Sequence, residues 1–403
     1  MPPAAAVSLV WFFALGGIGI QMPLYGLYLE ENAGLNGAQV GVVLASIPCV
    51  GMFSQPLWGL LADRTGSRAR VLALIAAASA CAHLALGAAD GFGALLLGTA
   101  ALACASTALI PSCTAVSLEL CGSAAFARLR VWGTIGFGVW LLAFQPLLSA
   151  YQRARGLTAV ETGPSEPGLA LIFPAAAACT LLAACFSLAL PRGGSPQRAQ
   201  PGDWRELWRH RGFLRVVAFG FLSYLFLQGP LVMLPNLVAA RGGSAADVSR
   251  IWLLMLSLEV PLLLLSGAGF GRVGARGLLA IGMLAGGVRF GLCGAGSGLG
   301  YLHATAPLHG VTVAGLQIGL ALYVEASVPE RLRSTAQNAV AAYGLGLGGM
   351  LSSLLTGVAF QHWGEGSPYL LGGAGALALA FAVPLLVPAA SRPPDAGAPP
   401  PAR

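Results

Sequence analysis

The chain has 403 residues, of which 56% are hydrophobic and only 9% are charged, and its mean hydropathy is +0.76. A soluble domain carries about 25% charged residues, so this composition excludes a water-soluble globular protein and indicates a polytopic membrane protein. The formal net charge is +7. Because the arginines are dispersed in short loops, this charge is typical of membrane topology and not of a nucleic-acid partner.

Hydropathy averaged over windows of about 19 residues predicts twelve membrane-spanning helices. They form two sets of six, separated by one long polar connection at residues 191–212. We therefore expect an all-α membrane protein with six-helix bundles at 1–190 and 213–390 and a disordered cytoplasmic tail at 391–403. The predicted spans are 6–28, 37–62, 70–89, 92–118, 130–151, 168–190, 213–238, 248–269, 276–294, 299–325, 334–360 and 367–388.

The turn between the second and third spans carries a motif that recurs half a chain later. It reads G-x-L-A-D-R-x-G-x-R-x-R, and its defining residues are Gly59, Asp63, Arg64, Gly66, Arg68 and Arg70. A partial copy at 267–276 lies 208 residues further on, with Gly271 in place of the aspartate. Residues 126–130 and 329–333 form a second pair, 203 residues apart, before the fifth and eleventh spans. Two repeats at corresponding turns predict two bundles related by a pseudo-two-fold axis.

The distribution of arginine predicts the orientation of the chain in the membrane. If the 59–70 turn is cytoplasmic, seventeen arginines lie on that side and four on the other, while Arg289 lies inside a helix. Cytoplasmic loops carry the excess of basic residues. Both termini and the 191–212 connection are therefore predicted to be cytoplasmic, in a protein of the cell membrane.

The 59–70 turn resembles the signature of the major facilitator superfamily, which lies between the second and third helices. Residues 22–29, 55–61 and 126–137 are similar to the branch of lactose permease and the phenylpropionate and nucleoside proton symporters. The resemblance covers residues 8–390. It implies transport by alternating access, with Asp63 contacting the eleventh helix as a latch that closes the cytoplasmic side. For the arginines of the turn, a simple positive-inside anchor is the alternative.

Three ionisable residues lie deep inside predicted spans: Glu259, Arg289 and His309. An ionisable group in the hydrocarbon is costly unless it is paired or faces water, so it marks a solute or proton pathway. A structural ion pair between Glu259 and Arg289 is the alternative. The resemblance assigns Arg289 and His309 to proton coupling, on matching positions 20 residues apart. The acid that lactose permease carries three residues after the histidine is Thr312 here, so Glu259 becomes the leading proton-coupling carboxylate.

Further polar residues are weaker candidates for a central cavity, because the same residue types also hydrogen-bond helices to each other. Arg130 matches a sugar-contacting arginine of lactose permease, which pairs with an acid on the fourth helix; Glu119 is the candidate for that acid here. The other cavity candidates are Tyr25, Gln55, Gln228, Asn236, Gln317, Gln337 and Asn338.

The sequence contains no motif of a hydrolase, a metalloprotease or an ATP-binding module, so neither an enzyme nor an ATP-driven pump is expected. The eight cysteines form no C-x-x-C pair, and we expect no disulfide, metal or other cofactor. The sequence favours a monomeric secondary transporter that moves a small organic solute together with protons. An aromatic acid, a nucleoside and a sugar remain open as substrates. An uncoupled facilitator or exporter of the same fold and a transporter-like sensor are the alternatives.

Overall fold

The computed structural model describes residues 2–157, 166–191, 209, 211–328 and 332–388, with backbone alone at 123–124, 127, 263–272 and 334–335. Within these residues the chain forms twelve helices and no strand, which confirms the predicted all-α class. The first bundle comprises α1 (Pro3–Leu27, continued by a π-helical turn Tyr28–Asn32), α2 (Gly37–Thr65), α3 (Arg68–Gly87), α4 (Gly91–Ser106 and Leu109–Cys121), α5 (Ser123–Arg155) and α6 (Ile172–Leu188).

The second bundle begins with α7, which is built from Arg211–Val232 and Leu234–Ala240. The helical stretch Ala245–Ala295 is broken at Gly274, where φ is 70° and ψ is 166°, and we call its two parts α8 (245–273) and α9 (275–295). The remaining helices are α10 (Leu299–Thr305 and Leu308–Ser327), α11 (Arg333–Ala341, a π-helical stretch Ala342–Gly348, and Gly349–Trp363) and α12 (Ser367–Leu386).

Eleven helical segments in the described part of the chain are long and apolar enough to cross a membrane. The remaining predicted span, 248–269, is helical as part of α8. Residues 192–208 and 210, most of the predicted 191–212 connection, and the tail 391–403 lie outside the described residues.

The internal repeat is visible in the backbone at the helix ends. Left-handed glycines occur in pairs 208 residues apart: Gly34 with Gly242, Gly66 with Gly274, and Gly156 with Gly364. Each has a positive φ, a conformation that costs glycine little and other residues more. Reciprocal capping boxes follow the same spacing, with Asn36 and Gln39 at the start of α2 and Ser244 and Asp247 at the start of α8. The two halves therefore end and begin their helices with the same local devices.

Each bundle has the same internal packing. In the first, α1 packs against α5 and α6, α3 against α6, and α2 against α4. In the second, α9 packs against α10 and α12, and α7 against α11 and α12. Between the bundles, α2 lies against α11 and α5 against α8, two contacts that the pseudo-two-fold axis exchanges.

The two bundles meet most closely at the end of the molecule where α1 turns into α2. A Cβ atom at Gly41 would lie only 2.7 Å from the Ser353 carbonyl oxygen, so the α2 and α11 backbones are in direct contact there. The Gln361 side chain accepts a hydrogen bond from the Ala38 N–H at 2.9 Å, and Gln145 of α5 donates to Ser249 of α8 at 2.8 Å. These contacts close the α1–α2 end of the interface between the bundles.

At the other end, where α2 turns into α3, the side chains along the two interface helices are open to solvent. Gln55 on α2 and Gln337 and Asn338 on α11 are exposed there, and polar side chains on membrane helices face the bundle interior or water and not lipid. The described structure is therefore closed at the α1–α2 end and open at the α2–α3 end. With the predicted orientation, the open end is the cytoplasmic one.

Candidate functional site

A cavity of about 360 Å³ lies between the two bundles. It is near the lower end of the size range typical of sites for small molecules, about 300–1,000 Å³. Its walls come from α1, α4 and α5 of the first bundle and from α7 to α11 of the second. Six of the sequence-predicted residues line it: Arg130, Gln228, Glu259, Arg289, His309 and Gln317.

Arg289 and His309 are buried in the cavity wall, with 1% and 8% of their surfaces exposed. The Arg289 Nη1 lies 3.3 Å from the His309 Nδ1. Because a guanidinium can only donate, the imidazole nitrogen is the acceptor and the ring is neutral in this contact. Arg289 also donates to the Met255 sulfur at 2.9 Å, and its carbon Cζ lies 5.1 Å from the centre of the Phe290 ring.

Glycines bring the helices of this wall together. A Cβ at Gly315 on α10 would lie 2.6 Å from the Cα of Gly282 on α9, so these two backbones touch. A Cβ at Gly310 would overlap the backbone of α8 at Glu259. In addition, α10 is interrupted at Ala306–Pro307, and His309 lies in the first turn of the segment that follows. The sequence therefore places Glu259, Arg289 and His309 on three helices that close contacts between backbones hold together.

Glu259 interacts electrostatically with Arg130, which belongs to the other bundle. The Arg130 guanidinium carbon lies 4.7 Å from the centre of the Trp11 ring, and its buried Nη1 has no hydrogen-bond partner. Glu259 and Arg289, both described with their side chains, make no ion pair within 4.0 Å. In this arrangement the carboxylate of the cavity interacts with a cation of the first bundle and forms no ion pair with Arg289.

Glu119, the acid considered for Arg130, instead contacts Arg68 in the signature turn at 3.5 Å. Arg68 also forms an ion pair with Asp63 at 3.3 Å, so one guanidinium joins the end of α2 to α4. The spacing along the sequence does not show whether Arg68 or Arg130 is the partner of Glu119. The side chains at 334–335 and residues 329–331 lie outside the described part, so the contact between Asp63 and the eleventh helix stays a prediction.

The rest of the signature turn is on the surface. Arg64 and Arg70 are exposed, Gly66 closes the turn with φ 62°, and a Cβ at Gly59 would meet no atom within 4 Å. In the partial copy, the left-handed Gly274 is described, whereas the side chains of 267–272 are not.

Several weaker candidates lie away from the cavity in this conformation. Tyr25 is buried inside the first bundle, where its hydroxyl hydrogen-bonds to Thr99. Asn236 is fully buried and donates to the Gly26 carbonyl at 3.0 Å and to the Glu30 carboxylate, which joins α7 to α1. The remaining three are exposed: Gln55, Gln337 and Asn338.

The aromatic side of the cavity was not predicted from the sequence. Trp252 of α8, Phe137 of α5 and Tyr224 of α7 line it together with Arg289. Trp252 lies seven residues before Glu259, which is two helical turns on the same face. This spacing is the sequence signal that could have identified Trp252 as a lining residue.

The fold and the cavity define a membrane transporter built from two pseudo-symmetric six-helix bundles. The family description "MFS_1 like family" matches residues 5–197 and 236–371, and the chain belongs to this family of the major facilitator superfamily.

Two curated relatives are similar to the chain over most of its length. The maltose permease of Geobacillus stearothermophilus is 30% identical over 372 residues, 89% of this chain and 87% of that protein. An uncharacterised transporter of Bacillus subtilis strain 168, YwbF, is 27% identical over 378 residues, 92% of this chain and 90% of that protein.

Among solved structures, a point mutant of the nucleoside transporter NupG has the same fold. The TM-score is 0.83 with 20% sequence identity, covering 95% of this chain and 99% of that one. At this identity the likeness concerns the fold alone.

Proposed function

We propose that this protein moves a small organic solute across the membrane by alternating access, and that protons drive the movement. The observation that carries the proposal is the interaction of Glu259 with Arg130 across the cavity. It joins a titratable carboxylate of one bundle to a permanent cation of the other. Its strength therefore depends both on protonation and on the relative position of the bundles.

The Glu259–Arg130 pair can couple proton binding to the movement of the bundles. Two opposite unit charges attract each other by about 4 kcal/mol at 4 Å and an effective dielectric constant of 20, and by less at larger separations. Protonation of Glu259 removes this attraction, and 1.4 kcal/mol already shifts a two-state equilibrium about tenfold. A proton that binds from one side of the membrane thus changes the preference of the bundles for the open and closed arrangements. In the predicted orientation, the arrangement described here is the inward-open one.

The test is a Glu259→Gln variant, which mimics permanent protonation. In reconstituted vesicles we expect it to lose uptake driven by a pH gradient while it still exchanges labelled for unlabelled solute. Glu325→Gln is the matched control, because Glu325 is exposed on α10 and does not line the cavity. Accumulation against a gradient by Glu259→Gln at the parent level removes Glu259 from proton coupling.

An uncoupled facilitator is the second candidate, and Thr312 favours it. This residue lines the cavity at the position where lactose permease carries an acid. Its hydroxyl donates to the backbone carbonyl of Leu308 at 3.0 Å. In a facilitator, solute equilibrates at the same rate with and without a pH gradient. Equal initial rates and no accumulation by the parent protein identify this function.

A further inference from the structure

Among the residues that the structure describes, Arg289 is a buried cation without a carboxylate partner. Its electrostatic partners there are Cys293, Tyr369 and His309, and none of these is a carboxylate. Its Nε–H is buried and has no hydrogen-bond partner. Two of its nitrogen atoms donate to weak or neutral acceptors, the Met255 sulfur and the imidazole. No described carboxylate lies within 4.0 Å of it.

The charges of the cavity wall do not cancel. Among the described residues that line it, the charged ones are Arg130, Glu259 and Arg289, and the first two interact with each other. One positive charge is left over, on the most buried side chain of the wall. A buried charge is stable only when it is paired and its hydrogen-bonding groups are satisfied. The cavity therefore has room for a counter-charge that none of its described lining residues supplies.

We infer that the solute carried in this cavity is a monoanion whose carboxylate binds at Arg289 and His309. This inference rests on the proposed transport function and names the class of solute at the same site. A guanidinium binds a carboxylate through two parallel N–H groups, which adds geometric specificity to charge. The neutral imidazole offers a further N–H group when its Nδ1 is the acceptor from Arg289.

The remaining walls suit the body of such a molecule. Trp252, Phe137 and Tyr224 supply aromatic surface, and Gln228 and Gln317 supply polar groups that both donate and accept hydrogen bonds. A planar or ring-shaped body with a few polar substituents fits this combination. With one proton bound at Glu259, movement of a monoanion is electroneutral. The membrane potential therefore does not oppose its entry.

The test compares each carboxylate with its own primary amide, which has nearly the same shape and no charge. Three pairs represent the solute classes that the sequence leaves open, a sugar, an aromatic acid and a nucleobase-like ring: glucuronate and glucuronamide, 3-phenylpropanoate and 3-phenylpropanamide, and orotate and orotamide. Maltose and uridine serve as neutral solutes. Thermal unfolding of the purified full-length protein at pH 7.5 reports binding, and a titration gives the affinity.

We expect at least one carboxylate to raise the unfolding temperature while its amide does not. Arg289→Gln should weaken the binding of that carboxylate by about 10- to 100-fold, the range for a hydrogen bond to a charged group. Arg289→Lys, which keeps the charge and loses the bidentate geometry, should bind it with intermediate affinity. Arg153→Gln, at the exposed end of α5, is the control and should bind it as the parent does.

Two outcomes overturn the inference that the solute is a monoanion. In one, none of the carboxylates stabilises the parent more than its amide does. In the other, a neutral solute (maltose, uridine or an amide) binds to the parent protein and binds equally well to Arg289→Gln. If that neutral solute is also taken up by vesicles, the transport function stands with a different solute class. If a carboxylate binds through Arg289 but is never moved across the membrane, the solute class stands and the transport function fails.

Discussion

The close contact between α2 and α11 gives a direct way to shift the protein between its two arrangements. Gly41→Ala places a Cβ 2.7 Å from the Ser353 carbonyl oxygen and 2.9 Å from the Gly357 Cα. An ordinary contact between such atoms is about 3.5 Å or more, so the helices must separate by roughly 0.7–1 Å. Overpacking of this kind costs about 1–3 kcal/mol. Because the contact exists only while the α1–α2 end is closed, this cost falls on that arrangement alone.

A difference of 1–3 kcal/mol changes the ratio of the two arrangements by roughly 5- to 150-fold. The reporter is a cysteine at Leu345, which lines the cavity and is 43% exposed toward the open end. In a background without the eight native cysteines, its reaction with a bulky maleimide should slow in Gly41→Ala as the fraction of open protein falls, and at most by the factor by which the ratio changes. The rates give the open fraction of each variant, and the change in free energy follows from the ratio of open to closed protein in each.

Gly93→Ala is the control for this experiment. It makes the same substitution in α4, outside the signature turn, and a Cβ there meets no atom within 4 Å. Replacing glycine by alanine in a helix favours the helix in both variants. Identical labelling of the Leu345 reporter in Gly41→Ala and Gly93→Ala would refute the argument that this contact sets the balance between the two arrangements.

Two further predictions concern the cytoplasmic side. A cysteine at Ser195 should resist a membrane-impermeant thiol reagent in intact cells and react after lysis, since the arginine distribution places 191–212 inside; labelling of intact cells reverses the topology. Asp63→Asn removes the carboxylate that is predicted to latch α2 to α11 while the cytoplasmic side is closed. It should therefore slow uptake and raise the reactivity of cytoplasmic cavity probes, whereas Asp90→Asn at the other end should do neither. The ion pair of Asp63 with Arg68 is present in the open arrangement, and its loss costs that arrangement at most about 1 kcal/mol. Normal uptake and unchanged reactivity in Asp63→Asn leave the turn with an anchoring role only.

The sequence was a good guide to the fold because each predictive signal was local. Long apolar runs determine the helices, and the left-handed glycines 208 residues apart determine where they turn. The interruption of α10 at Ala306–Pro307 was not predicted. Other helix-interior prolines, such as Pro146 in α5, leave their helices continuous. Whether a proline breaks a membrane helix depends on what neighbouring helices offer the freed backbone groups.

The candidate site was only partly predictable for a different reason. Arg289 and His309 face each other because α9 and α10 are neighbours in one bundle. The partner of Glu259, in contrast, lies in the other bundle and depends on how the two halves meet. Arg130 and Arg68 lie at nearby ends of α5 and α3, and only packing determines which of them approaches Glu119. Patterns along one chain carry no information about such choices.

The π-helical stretch of α11, Ala342–Gly348, has a consequence for deletions in this helix. A π-helical turn closes through i→i+5 hydrogen bonds and holds one residue more than an α-helical turn. Loss of one residue from an α-helix rotates everything beyond it by about 100°. Loss of one residue here turns the wide turn into an ordinary one, and the faces of Arg333–Ala341 and Gly349–Trp363 keep their directions. Sequences of this family that are one residue shorter at this position can therefore present the same side chains to α2.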